Sequence, residues 1–328
     1  MRYRNGSTLW AGLLLATLLT MAPMQARAQP PWPSRPVRVI ISFTAGSSTD
    51  IVGRLVLQKA AESWGQPVVF ENRGGAGGSI GSNVVATAQA DGYTLLVDSV
   101  AHAITPAMYI KLPYDTLKDF VDIAPLATQP NVLVVPAASP YKTVMDLVNA
   151  AKAKPNSINF ASAGVGSGTH LNLEKFINAA GIKVTHIPYK GTPEVLSNLL
   201  SGAVDCYWGP ISATIPQVTG GKLRALAVST PRRNGMLPEV PTTGEAGVAN
   251  ADVPLWFGVW APRGTPPEVT DKISVDIRKA LTDPELRARL TALGNDFIDM
   301  SPEQFARFVK EEVESYAQLI KAAGIKPQ

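Results

Sequence analysis

The chain has 328 residues, 45% of them hydrophobic, with 30 lysines and arginines against 26 aspartates and glutamates. Its length suits two packed domains of about 100 to 200 residues each, and its single cysteine, Cys206, excludes an intrachain disulfide, so stability has to come from the core. Three of the basic residues, Arg2, Arg4 and Arg27, lie in the first 28 positions, which hold no acid; without them the balance is 27 to 26, and no nucleic-acid footprint is left.

Those first positions have the form of a secretory signal peptide. Arg2 and Arg4 precede an apolar segment from about Leu9 to Leu19, and the small-residue pattern Ala26-Arg27-Ala28 sets the expected cleavage before Gln29. The apolar segment is shorter than the about 20 residues that a membrane span needs, and no cysteine follows it to carry a lipid. The expected product is a soluble periplasmic protein.

Strand-like runs then recur at 37–43, 66–72, 93–99, 131–137, 157–163, 184–189, 203–208, 223–229 and 257–262. Helix-like segments at 51–65, 79–90, 144–154, 170–181 and 192–202 lie between them. This alternation predicts an α/β fold with largely parallel sheets. Near the C-terminus, Phe305, Val309, Val313, Tyr316 and Ile320 form one stripe opposite Lys310, Glu311 and Glu312, which is the spacing of a packed amphipathic helix. The proline-rich stretches at 237–247 and 261–269 have the composition of ordered connections. Two lobes without an obvious flexible joint imply a chain that crosses between them more than once.

Three glycine-rich turns follow strand-like runs. In "SFTAGSSTD", 42–50, a strand breaks and restarts as a helix, and Ser47 to Asp50 fit a capping box, with the Asp50 carboxylate reaching back to the Ser47 amide. The remaining free amides and the helix dipole favour an anion, although a solvated turn has the same sequence form. "ASAGVGSGTH", 161–170, repeats the pattern, with Gly164 and Gly166 allowing a ligand close to the backbone. Two such turns more than 100 residues apart suggest a cleft with two helix starts facing each other.

The third turn, 73–81, contains the G-x-S-x-G pattern of a nucleophile elbow around Ser79, with His170 and His186 downstream. Ser79 nevertheless follows the strand end at Asn72 by several flexible residues, where an elbow needs an immediate turn. Gly75, Gly77 and Gly81, with Asp98 later, imitate a dinucleotide loop at the wrong spacing. His102, His170 and His186 are isolated and lack metal-ligand spacing, so no metal site and no cofactor is expected. Lys190 reads as an exposed residue before a helix, and Tyr207 and Trp208 as either core or stacking wall.

Taken in order, "RPVRVIISFTAGSSTDIVGR", "VVFENRGGAGGSIGS", "HAITPAMYIKLPYDTLKDF", "SAGVGSGTHLNLEKF", "HIPYKGTPEVLSNLLSGAVD" and "WFGVWAPRGTP" resemble the solute-binding proteins of tripartite tricarboxylate transporters, the Bug family, over essentially the whole mature chain. The resemblance implies a two-lobed type II periplasmic binding protein fold with the ligand cleft between the lobes, and no catalysis. The lobes are expected at 29–130 with 230–328, and at 131–229, after a signal peptide at 1–28. It implies a small carboxylate ligand, aliphatic or aromatic, and as partners the membrane permease subunits of such a transporter, or a sensor protein. The ligand contacts it implies are Phe43, Thr44, Ala45, Gly46, Ser47, Ser48 and Asp50 from the first turn, and Gly164, Gly166, Ser167, Thr169 and His170 from the second. Ser99, Asp205 and Trp208 are wall candidates.

The sequence departs from the family pattern at three places. Gly74 stands where the family's "ENRPGAGG" turn has proline, Ser47 and Ser48 replace paired glycines, and Gly209 stands where an acid usually ends the stretch after Val204-Asp205. A ligand contact from that acid is therefore not expected. The alternative function is a secreted serine hydrolase using Ser79.

Overall fold

The computed structural model describes residues 32–328. The expected signal peptide and its cleavage point lie outside the described residues. Among them, no helix is long and apolar enough to cross a membrane.

Two five-stranded sheets form the centre of the molecule. The first begins with β1 (Val37–Ile41), α1 (Ser48–Ala61), β2 (Val68–Asn72), α2 (Ser79–Ala86), β3 (Thr94–Ser99), α3 (Ala101–Met108) and β4 (Phe120–Gln129). The second takes β5 (Asn131–Pro136), α4 (Val144–Ala153), β6 (Asn159–Ser162), α5 (Gly168–Ala180), β7 (Thr185–Pro188), α6 (Thr192–Leu200), β8 (Cys206–Pro210), α7 (Ile211–Thr219) and β9 (Leu223–Val228). The chain then returns to the first sheet as β10 (Leu255–Pro262) and ends in α8 (Pro267–Ala280), α9 (Pro284–Ala292) and α10 (Pro302–Ala322).

The strand orders are β2-β1-β3-β10-β4 and β7-β6-β8-β5-β9, which are equivalent: three parallel strands, one antiparallel strand borrowed across the crossing, and an edge. The expectation of largely parallel sheets is therefore corrected. β10 runs antiparallel to β3 and β4, and β5 runs antiparallel to β8 and β9. The crossing strands enter from the opposite direction because each arrives from the other sheet rather than through a helix on its own.

β1 shows why these segments become strands. Val37, Val39, Ile40 and Ile41 are fully buried, because helices cover both faces of the sheet, so the run is continuously apolar rather than alternating. β4 escaped the sequence reading because Asp122 and Pro125 interrupt its pattern. Pro125 sits where the register to β10 shifts, between Phe257 paired with Ala127 and Gly258 paired with Pro125, a bulge that tolerates a residue without an N–H. α3, α7, α8 and α9 were likewise not expected. The C-terminal stripe does pack: Phe305, Val309, Tyr316 and Ile320 of α10 are buried in the first core.

The two crossings are tied together. Asn131 N donates to Ser229 Oγ at 2.8 Å, Ser229 N to the Asn131 carbonyl at 2.8 Å, and Val253 N to the Ser229 carbonyl at 3.0 Å. Residues 230–251, expected in the first lobe, put Leu237, Val240, Val248 and Ala251 into the cores of the second sheet. The return to the first sheet thus follows residue 251.

Candidate ligand-binding site

α1 and α5 start at equivalent places, after the first strand of each parallel set. Ser47 has an extended backbone (φ −70, ψ 162), and its Oγ accepts from Asp50 N at 3.3 Å. Ser167 has the same conformation (φ −74, ψ 158), and its Oγ accepts from His170 N at 3.2 Å. Each cap serine satisfies the third amide of its helix. The first two amides, from Ser48 and Thr49 and from Gly168 and Thr169, have no intrahelical acceptor because no carbonyl precedes them by four residues within the helix.

Both helix starts line one cavity between the sheets, of about 20 Å³. Phe43, Ser99, Ala163, Thr192, Pro210 and Leu255 complete the wall, and no lining side chain is charged. Attraction for an anion therefore has to come from amides, hydroxyls and the two helix dipoles. The site sits beyond the carboxyl ends of β1, β3, β6 and β8, the crevice where open parallel sheets bind ligands. β10, running the other way, brings its first residue, Leu255, to the same place.

The sequence expectation divides sharply here. Phe43, Ser47, Ser48, Ser99, Ser167 and Thr169 are brought together around the cavity. Thr44 faces Gly191 of the other lobe, while Ala45 and Gly46 are exposed at the rim. The Asp50 carboxylate is turned away and accepts from Gly46 N at 2.9 Å, Arg54 Nε at 2.7 Å and Asn72 Nδ2 at 2.8 Å. The expected bond from the Ser47 amide goes instead to the Thr44 carbonyl.

In the second turn, Gly164 N donates to Ser162 Oγ at 3.1 Å and Gly166 N to His170 Nδ1 at 3.5 Å, so these amides serve the turn itself. Ser162 Oγ is 2.6 Å from His186 Nε2, and the His186 ring stacks on His170 at 4.4 Å. Burial, reinforced by the neighbouring His170, lowers the His186 pKa to about 4, so it is neutral at pH 7.

Two wall candidates lie elsewhere. Asp205 precedes β8, at the end of the sheet away from the cleft, and its carboxylate accepts from Asn159 N at 2.7 Å. Trp208 is fully buried among Phe160, Phe176 and Leu133 on one face of β8. Strand alternation places Tyr207 on the other face, where its hydroxyl lies 2.9 Å from Thr192 Oγ1.

Gly209 leaves no room for the acid of the family pattern. A Cβ there would lie 2.3 Å from Thr214 Cγ2 and 2.8 Å from Tyr207 Cε1. Ala163, Thr192, Pro210 and Leu255 were missed, since each reaches the cleft from a distant segment. Thr49 and Gly168 fall inside the two turns that the sequence did single out.

A buried polar cluster supports the wall from behind. Asp98 accepts from Ser42 Oγ at 2.6 Å, Ser82 Oγ at 3.0 Å and Ser99 N at 2.7 Å. Burial outweighs these bonds and raises its pKa to about 7. His102 is buried between Trp260 and Phe120, which lowers its pKa to about 3 and keeps it neutral. Ser79 opens α2 after Gly78, and among the described residues no histidine or carboxylate hydrogen-bonds to it.

Comparison with known proteins agrees with this architecture. Residues 52–325 match the model of the tripartite tricarboxylate transporter family receptor, TctC. BugT of Bordetella pertussis is 33% identical over 317 residues, covering 96% of each chain. A protein of R. palustris solved with adipate is 33% identical with a TM-score of 0.87, covering 90% of this chain and all of that one (100%). MatC from Rhodopseudomonas palustris, with bound malate, is 32% identical with a TM-score of 0.85, covering 88% and 100%. The matched family is one of receptors, and the hydrolase alternative on Ser79 falls with that finding. The chain belongs to the TctC, or Bug, family of periplasmic solute receptors.

Proposed function

We propose that the protein captures a small carboxylate between its lobes in the periplasm and delivers it to the permease subunits of a tripartite tricarboxylate transporter. The observation that carries this reading is the convergence of four helix-start amides, Ser48, Thr49, Gly168 and Thr169, on one cavity lined by no charged side chain. Such a site neutralises one carboxylate without a counter-ion. Phe43, Ala163, Pro210 and Leu255 offer an apolar wall to the body of the ligand. No carboxylate in the lining answers an ammonium group, so an amino acid is disfavoured relative to a plain di- or aromatic acid.

A cavity of about 20 Å³ holds one water molecule. Entry of a diacid therefore requires the lobes to separate about the two crossings and close again. The basic, apolar and small-residue order of positions 2–28 supports export, with the mature protein beginning at Gln29.

Thermal unfolding in the presence of malate, adipate, citrate and benzoate, each beside its methyl ester, tests the reading. A free acid at about 100 times its Kd adds about 2.7 kcal/mol of stability. Its ester adds much less, because the charge-assisted bonds and the helix-dipole attraction are lost. Equal stabilisation by acid and ester refutes the anion cleft.

A further inference from the structure

The third glycine turn, which the ligand site does not use, has an unusual backbone. Four consecutive residues, Gly75 (φ 124), Ala76 (φ 47), Gly77 (φ 61) and Gly78 (φ 100), lie at positive φ, and one of them carries a side chain. Glycine adopts such angles freely, but Ala76 at positive φ is strained, and strain of that kind persists only where surrounding structure holds it and clusters at functional places. What the turn gains here is contact across the cleft. A Cβ on Gly77 would lie 2.3 Å from the Val165 carbonyl oxygen and 3.0 Å from the Gly166 carbonyl carbon, both in the backbone of the other lobe.

The same carbonyl is held from a second direction. Tyr109, just past the end of α3, donates its hydroxyl to Val165 O at 2.9 Å, and a Cβ on Gly166 would meet the Tyr109 ring at 3.0 Å. Within its own lobe this loop is anchored by Ser162 and His170. Fixing Val165 fixes the start of α5, three residues on, against the start of α1.

We infer that Tyr109 and the glycine turn at 74–78 are positioning residues that clamp the second ligand loop, 164–167, when the lobes close. The clamp rests on the closing motion of the proposed function but not on the charge of the ligand. It makes closure, and with it ligand retention, depend on a contact that touches no ligand atom.

The test reports closure directly in the mature full-length chain. A Cβ at Gly191, whose backbone is extended, would lie 3.2 Å from Thr44 Cβ across the cleft mouth. That is close to the about 3.5–4.5 Å of a disulfide. The reporter Thr44→Cys with Gly191→Cys is therefore trapped by diamide only when the lobes meet, and Cys206 is buried away from it. No ligand is needed.

In this background Tyr109→Phe slows trapping by about two- to tenfold, the range of one net hydrogen bond. Gly77→Ala slows it by about tenfold or more through the clash. Gly65→Ala has the same backbone strain (φ 63) with nothing within 4 Å of the added methyl, and it leaves the rate unchanged. Circular dichroism confirms folding, and if Gly77→Ala does not fold, Tyr109→Phe decides. Trapping rates of Tyr109→Phe and Gly77→Ala equal to that of the reporter alone overturn the clamp, as does a reporter that never crosslinks. Adding malate or adipate separates the two ideas: failure of the carboxylate reading abolishes any acceleration by the acid and leaves the clamp effects in place.

Discussion

Gly209→Asp restores the acid that the family pattern places after the Val204-Asp205 pair, and the structure predicts that this chain does not tolerate it. β8 is buried along its whole length, and the new Cβ would stand 2.3 Å from Thr214 Cγ2 and 2.8 Å from the Tyr207 ring. Overpacking of this kind costs about 1–3 kcal/mol. The carboxylate beyond it would be buried against Thr214 and Tyr207, neither of them a cation, and an uncompensated buried charge costs about 3–5 kcal/mol. The sum reaches about 4–8 kcal/mol, against a total stability of about 5–15 kcal/mol for a typical fold. Gly209→Ala, which brings the clash without the charge, loses only the first part. Urea unfolding followed by tryptophan fluorescence measures both, since Trp208 adjoins the site. An aspartate variant within about 1 kcal/mol of wild type refutes the reasoning. It would mean that position 209 opens into free space, and that an acid there is available to an ammonium group.

Ser47→Ala removes the cap on Asp50 N and lowers stability by about 0.5–2 kcal/mol. Ligand affinity by calorimetry stays within about tenfold, because the Ser48 and Thr49 amides remain in place. Asp98 gives a pH dependence of definite sign. Its folded pKa of about 7 lies above that of an ordinary carboxyl, so the native state binds the extra proton between about pH 4 and pH 7, and this group's stability is lost as pH rises through that window. Asp98→Asn keeps an acceptor for Ser42 and loses the titration. Its melting temperature therefore falls less than that of wild type between pH 5 and pH 8, and parallel curves for the two proteins refute the assignment.

The parts of the site that local chemistry specifies were legible in the sequence. Ser47 reads as a cap because a serine three positions before an uncommitted amide, after an apolar strand, has few other roles, and it is one; the same pattern recurs in the second turn, where the structure adds Ser167 as the cap. The parts that depend on strand direction and parity were not. Asp205 and Trp208 belong to one short segment, yet one lies at the far end of the sheet and the other faces a core. Helices cover both faces of β8, so its sequence carries no alternation to tell Tyr207 from Trp208. Leu255 reaches the cleft only because β10 runs antiparallel, a consequence of the second crossing that no local pattern encodes.

The equivalence of the two sheets bears on how such a cleft gains affinity. Each lobe supplies one helix start, and one start stabilises an anion by only about 0.3–1 kcal/mol when exposed to water and salt. An open lobe is then a poor site by itself. Bringing α5 against α1 adds the second pair of amides and excludes solvent from the first, which strengthens both because the local dielectric falls. On the proposed reading, affinity is therefore set by the closed geometry rather than by either lobe. A carboxylate that meets both starts at once favours closure by its difference in affinity for the two states, and a group that meets only one does not.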